Sequence, residues 1–221
     1  MTRPSRLLRT VAHRLRDCAS GVAMVEFAMA LPFLLATGLF AVETANLAIV
    51  NMRIAQMAAH IADNASRVGD TSTLEDRKVY ESDINDLLIG AGLQAGAALD
   101  VFARGRVVIS SLQIDEATGF QTIRWQRCRG AKAFVSAYGE EGDGLDGSLD
   151  GMGPPAQRVS AVEGEAVIYV EVAYDYKPLV SDIFAAGDQI RSEASFMVRD
   201  DRDLTGLYQR DPGSPDPVSS C

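Results

Sequence analysis

An uninterrupted apolar run near the N-terminus dominates the hydrophobic pattern of the chain. Residues 22–42 read VAMVEFAMALPFLLATGLFAV and contain one charged residue, Glu26, and one proline, Pro32. As an α-helix with a rise of about 1.5 Å per residue, this segment would be roughly 31 Å long, close to the ~30 Å hydrocarbon core of a bilayer. The pattern therefore predicts a transmembrane helix over 22–42.

Beyond residue 42 the apolar positions become periodic. They recur at spacings of three and four residues, while polar side chains occupy a separate stripe, which is the pattern of an amphipathic helix. The apolar set is Leu47, Val50, Ile54, Met57, Ile61 and Ala65. We predict that the membrane helix continues over 43–69, ends at Gly69 and packs this stripe against the globular domain or neighbouring subunits.

The remaining chain, 70–221, shows shorter helical and strand patterns. A capping box at 72–75 and a glycine-containing stretch at 83–99 predict two helices. Strand patterns follow at 106–114, 120–128, 166–176 and 190–198, and a turn at 115–119 joins the first two into a hairpin. Because the apolar face of a sheet needs a cover, we predict an α+β fold with the long helix packed on a small antiparallel sheet.

Charge is distributed unevenly along the chain. Residues 1–21 contain five arginines and one acid, a net charge of +4, so the total of −9 leaves about −13 for the other 200 residues. The basic segment directly precedes the apolar run, which predicts a cytoplasmic leader over 1–21 and a C-terminal domain on the other side of the membrane. A domain this acidic repels phosphate backbones, which argues against nucleic-acid binding.

Three simpler interpretations of the apolar run compete with an assembly segment: a secretory signal peptide, a buried core helix and a plain single-pass anchor. The run exceeds the apolar region of about 7 to 15 residues in signal peptides, and AVETA at its end is a poor cleavage site. A core helix needs no flanking arginines and is rarely apolar all round. The plain anchor is the main alternative, and Glu26, one turn into the run, argues against it, because an ionisable group costs about 2.5–3.5 kcal/mol at mid-bilayer and somewhat less near the interface.

The residues around Glu26 carry a family resemblance. The stretch GVAMVEFAMALPFLL, from Gly21 through Val22, Glu26 and Phe27 to residue 35, resembles the N-terminal domain of TadE-like proteins, the minor pseudopilins of tight-adherence (Flp-type) pilus systems. The similar region covers roughly residues 17–63, and MVRDDRDL at 197–204 is also similar to the family. The family commonly has a tyrosine at the position of Phe27.

This resemblance implies a processing site and a contact site. A prepilin peptidase would cut between Gly21 and Val22, and Glu26 with Phe27 would contact other pilins, pseudopilins or pilus assembly proteins. The new α-amino group of Val22 would lie one helical turn from Glu26, where the two charges could neutralise each other within a chain or between neighbours. The resemblance also implies a pilin-like fold and a bacterial inner-membrane location, with lipid around the helix and the C-terminal domain in the periplasm.

The three cysteines differ in their predicted locations. Cys18 would leave with the leader, whereas Cys128 and Cys221 would both lie in an oxidising compartment. We predict a disulfide between these two, which would tie the proline-rich tail, 211–221, to the hairpin.

No catalytic motif or cofactor site is recognisable in the sequence. The glycine and acid tract at 139–155 offers Asp143, Asp146 and Asp150 as weak calcium ligands, but their spacing is not that of an EF-hand, so a flexible, solvated loop is expected. We therefore predict a structural protein without enzymatic activity. The alternative is an unprocessed single-pass protein whose acidic periplasmic domain binds a ligand or partner.

Overall fold

The structure, a computed structural model, describes residues 13, 14, 16, 19–70, 76–181, 183, 189–198 and 201–221. Within them, helices α1 (Ala19–Ala65), α2 (Glu81–Leu99) and α3 (Val101–Arg104) precede strands β1 (Gly105–Ile114), β2 (Gln121–Arg129), β3 (Ala166–Asp175) and β4 (Gln189–Met197). Most of the predicted leader and the predicted capping box at 72–75 lie outside the described residues.

The chain divides into two compact units. The first, Met1–Asn46 with Pro178–Ala185, contains the apolar part of α1 and part of the loop between β3 and β4. The second, Leu47–Lys177 with Ala186–Cys221, contains the rest of α1 and the whole sheet.

The sheet is antiparallel, and its strand order is β2-β1-β3-β4. The predicted hairpin is confirmed: β1 pairs with β2, with one register shift between Ser111 and Leu112. Its turn is held by Asp115, whose carboxylate accepts the N–H groups of Ala117 and Thr118. At the far end of β2, a Cβ on Gly130 would lie only 2.1 Å from the carbonyl oxygen of Gly105, so only glycine allows the strands to meet there.

The predicted helical cover is also confirmed. In the second unit, the buried residues of α1 follow the predicted stripe: Ile54, Met57, Ala58, Ile61, Ala62 and Ala65. Helix α2 adds the buried side chains of Ile84 and Leu88, while the polar stripe residues Arg53 and His60 stay exposed. The fold is therefore α+β: in the second unit, the part of the long N-terminal helix from Leu47 to Ala65 packs on a four-stranded antiparallel sheet.

The opposite face of the sheet is buried as well at β3, which the alternation of that strand did not predict. Nine of the ten residues of β3 are buried, because the long connection between β2 and β3 folds over this face. Leu112 lies between Ile123 and Val167 in the strand register, and Met152 of the connection packs against this cluster with no exposed surface. The tract expected to be a solvated loop thus supplies a core residue.

The polar side chains on this second face are satisfied by the same connection. Glu171 is buried and accepts hydrogen bonds from the Ser136 hydroxyl and the Ala137 N–H. Burial raises the pKa of the Glu171 carboxyl, and these two donors only partly oppose the rise. Nearby, the hydroxyls of Tyr138 and Tyr169 both donate to Glu193, and burial together with this carboxylate raises the pKa of Tyr138 to about 12.

Candidate functional site

The N-terminal part of α1 presents an apolar surface that is interrupted by one charged residue, Glu26. Among the described residues, one helix, Gly21–Ala65, is long and apolar enough to cross a membrane, and none of its most apolar window is buried. Met24 is 71% exposed and Phe33 is 75% exposed. A core helix buries such side chains, so this exposure contradicts the core-helix alternative and indicates a single-pass membrane anchor.

The polar groups within the apolar helix are largely satisfied by the helix itself. The hydroxyl of Thr37 donates to the carbonyl oxygen of Phe33 at 2.8 Å, and that of Thr44 donates to Phe40 at 2.9 Å. Pro32 lies inside the helix and lacks an N–H group, which leaves one carbonyl of the preceding turn without its usual donor. Apart from that carbonyl, the hydrogen bonds made within the helix satisfy the requirement that polar groups in lipid be paired internally.

Gly21 and Val22, the predicted processing pair, both lie inside α1 and are exposed. Among the described residues, no atom beyond the two adjacent residues and the helix's own backbone lies within 4 Å of the position that a Cβ on Gly21 would take. The space beside the Cα of Gly21 is therefore open.

Glu26 and Phe27, the predicted contact pair, lie about one turn further along the same exposed surface. Phe27 is 58% exposed, and no side chain in the described part of the chain forms an ion pair or hydrogen bond with Glu26. A carboxylate in this setting has no internal partner to offset its transfer into lipid.

Glu43 is an acid whose role the sequence did not reveal. It follows directly on the apolar run, yet it is fully buried and accepts the backbone N–H groups of Leu179, at 3.0 Å, and Val180, at 2.7 Å. These donors lie more than 130 residues away in the sequence, so the pattern around residue 43 held no sign of them. The only local signal was that Glu43 is the first charged residue after the span.

The structure contains the predicted disulfide between Cys128 and Cys221, which are 93 residues apart. The tail around it is also held by the Cys128 N–H, which donates to the carbonyl oxygen of Ser219 at 2.8 Å, and by Asn85, which donates to Pro217. Cys18 lies outside the described residues. The proline-rich tail is therefore docked on the second unit.

Loss of this disulfide is expected to destabilise the chain by about 2–4 kcal/mol, because the bond closes a long loop and restricts the unfolded state. The Cys128→Ser/Cys221→Ser variant, unfolded with urea in detergent and followed by the fluorescence of buried Trp125, would show a lower midpoint. The Cys18→Ser variant is the matched control and should unfold like the parent. An unchanged midpoint for the double variant would contradict the prediction.

The three aspartates considered as calcium ligands have separate partners. Asp143 accepts the N–H of Glu140, Asp146 accepts that of Ser148, and Asp150 forms an ion pair with Arg158. In the described ranges, no group of three His, Cys, Asp or Glu side chains is placed to hold a metal ion.

A buried ion pair in the second unit was also missed at the level of sequence. Arg127 of β2 binds the carboxylate of Glu81 through two nitrogens, at 2.6 Å and 3.0 Å, and reaches the half-exposed Glu141 at 2.7 Å. Burial alone would lower the pKa of Arg127, but hydrogen bonds and charge from Glu81 and Glu141 raise the pKa above its usual value. The ion pair between Glu81 and Arg127 links the first residue of α2 to strand β2.

Comparison with known protein families finds a match for the N-terminal segment. Residues 21–69 match the family model described as TadE-like protein. The match begins at Gly21 and includes Glu26, Phe27 and Glu43. TadE-like proteins are structural components of tight-adherence (Tad) pilus assembly. Comparisons of the chain with curated proteins and with solved structures find no significant match.

Proposed function

We propose that this chain, whose residues 21–69 match the TadE-like family, is a pseudopilin-like component of a tight-adherence pilus assembly or secretion apparatus. A prepilin peptidase removes the basic leader after Gly21, and the apolar helix holds the mature protein in the bacterial inner membrane. The observation that carries the proposal is Glu26, an exposed carboxylate without a described partner on an exposed apolar helix. Its natural partner lies on another subunit or at a new N-terminus.

Cleavage at Gly21 would supply that partner. It would create an α-amino group on Val22, four residues before Glu26, where side chains and termini share one helix face. An uncompensated carboxylate costs about 2.5–3.5 kcal/mol near the bilayer centre, and pairing with an ammonium group offsets this cost. When the amine and the carboxylate belong to neighbouring chains, the same pairing sets the register of two helices.

The charge pattern supports the proposed orientation. Arg14 and Arg16 precede the span, and the region after residue 21 is strongly acidic. Under the positive-inside rule, the leader stays in the cytoplasm, where it is available to the peptidase, and the sheet domain lies in the periplasm. The partners are then the peptidase, membrane lipid and other pilus subunits.

N-terminal sequencing of the protein purified from cells with an active prepilin peptidase tests this proposal. The mature chain is expected to begin at Val22, and the Gly21→Leu variant is expected to keep Met1, because a branched side chain at this position would obstruct the peptidase. The Gly38→Leu variant, altered at a glycine of the same helix whose surroundings are equally open, should be cleaved normally.

An intact N-terminus in the presence of the active peptidase would overturn the processing step. That result would favour the alternative, a single-pass protein whose acidic domain binds a ligand or partner.

A further inference from the structure

The described part of the loop between β3 and β4 carries apolar side chains that are exposed or partly exposed. Leu179 is 66% exposed, Val180 is 37% exposed and Ile183 is 88% exposed. All three belong to the same compact unit as the membrane helix rather than to the unit of the sheet. The unit that contains the membrane helix therefore also contains an exposed apolar patch in this loop.

Glu43 attaches this loop to the helix. Its carboxylate accepts the N–H groups of Leu179 and Val180, and hydrogen bonds to an ionised acceptor are shorter and stronger than neutral ones. Glu43 has no exposed surface, and its carboxylate accepts two backbone N–H groups of the loop. The carboxylate is therefore buried, while the side chain of Leu179 is exposed and that of Val180 is partly exposed.

The position of Glu43 sets the depth of this loop. Glu43 directly follows residues 22–42, which as a helix are about as long as the hydrocarbon core is thick. The carboxylate and the two loop residues bonded to it then lie at the boundary between acyl chains and headgroups. Backbone N–H groups at such a depth cost several kcal/mol when unsatisfied, and those of Leu179 and Val180 are already paired.

We propose that Leu179, Val180 and Ile183 form a second membrane contact that rests in the lipid of the outer leaflet beside α1. The proposal rests on the membrane anchoring in the proposed function and adds a site that the anchor alone does not require. Lipid is the occupant because the patch continues the surface of a helix already surrounded by lipid. Two contacts on one unit restrain the tilt of the helix, which a single span leaves to packing and interfacial anchors.

Fluorescence quenching in vesicles tests the contact. Full-length protein with Cys18→Ser and Ile183→Cys is labelled with an environment-sensitive fluorophore and reconstituted at high lipid excess into phosphatidylethanolamine and phosphatidylglycerol vesicles. Nitroxide groups on the upper acyl chain are expected to quench this label, and its emission is expected to be shifted to the blue. The native disulfide occupies Cys128 and Cys221, so the label reacts only with the introduced cysteine.

Two matched positions separate the possible results. The label on the Leu39→Cys variant, inside the span, should be quenched, whereas that on the Leu145→Cys variant, an exposed apolar residue of the sheet domain, should not. Quenching in the Leu39→Cys variant without quenching in the Ile183→Cys variant would overturn the loop contact and leave the anchor intact. Absence of quenching in both would overturn the anchor itself. If the label in the Ile183→Cys variant were shielded from water, as judged by its blue-shifted emission, but not quenched by nitroxide lipid, the patch would contact another protein copy. That result would overturn the lipid contact.

The role of Glu43 has its own test in the same vesicles. Glu43→Ala in the Ile183→Cys background is expected to remove lipid quenching of the label, because the loop loses the acceptor for two N–H groups. The same change in the Leu39→Cys background should leave quenching unaltered. Thr44→Ala, which removes a hydroxyl bonded only within the helix, is the control and should leave the loop in lipid. Persistent quenching in the Glu43→Ala protein would overturn the role of the carboxylate.

Discussion

Replacing Glu26 with alanine is expected to abolish pilus assembly while leaving the protein in the membrane. The substitution removes a carboxylate that opposes insertion, at a cost of about 2.5–3.5 kcal/mol at mid-bilayer and less at the position of Glu26 near the end of the span, so the span itself should insert at least as well. The substitution also removes the acidic partner proposed for the α-amino group of Val22. An amine left without this partner in the apolar layer opposes close packing of the helices.

Pilus formation in cells carrying the Glu26→Ala allele, counted by electron microscopy, measures this effect. Membrane fractionation of the same cells reports whether the protein still inserts. Glu26→Gln is expected to give the same loss, because the amide keeps the size of the side chain and lacks its charge. Glu116→Gln, which removes an exposed acid in the β1–β2 turn, is the matched control and should leave pilus formation normal.

Normal pilus formation with either Glu26 variant would remove the physical basis of the proposed subunit contact. Loss of pili together with loss of the protein from the membrane would also count against it, because the defect would then lie in insertion.

The elements that the sequence predicted are those whose signal is local. The stripe from Ile54 to Ala65 repeats with the helical period, and the buried side chains of α1 follow it. The turn at 115–119 has an aspartate at its start, and that side chain holds the turn in the structure. Periodicity and turn chemistry report which way neighbouring residues face, so the fold class could be derived from them.

The features that sequence reasoning missed depend on contacts between distant segments. Tyr169 and Glu171 looked like an exposed face of β3, because the segment that covers them is rich in glycine and acids and lacks periodicity. The burial of Glu43 was not predicted, because the N–H groups that it accepts lie in the loop after β3. A hydrogen bond across so many residues leaves no pattern in one sequence.

Removing one partner of the buried ion pair is expected to destabilise the sheet unit strongly. Arg127→Met keeps much of the side-chain length but leaves the carboxylate of Glu81, whose side chain is 5% exposed, without its cation. Uncompensated buried charges cost about 3–5 kcal/mol, which is comparable to a large part of the stability of an ordinary domain. Urea unfolding of the detergent-solubilised chain, followed by Trp125 fluorescence, should show a correspondingly lower midpoint.

A second variant separates the loss of charge pairing from a simple loss of packing. When both partners are replaced by apolar residues, as in Glu81→Leu/Arg127→Met, much of the lost stability should return, because no charge remains buried. Arg158→Met is the surface control: its partner Asp150 is largely exposed, so the change should cost less than about 1 kcal/mol. If Arg127→Met cost no more than Arg158→Met, the pair would not hold α2 on the sheet. If the double variant were no more stable than Arg127→Met, the cost would lie in packing rather than in the unpaired charge.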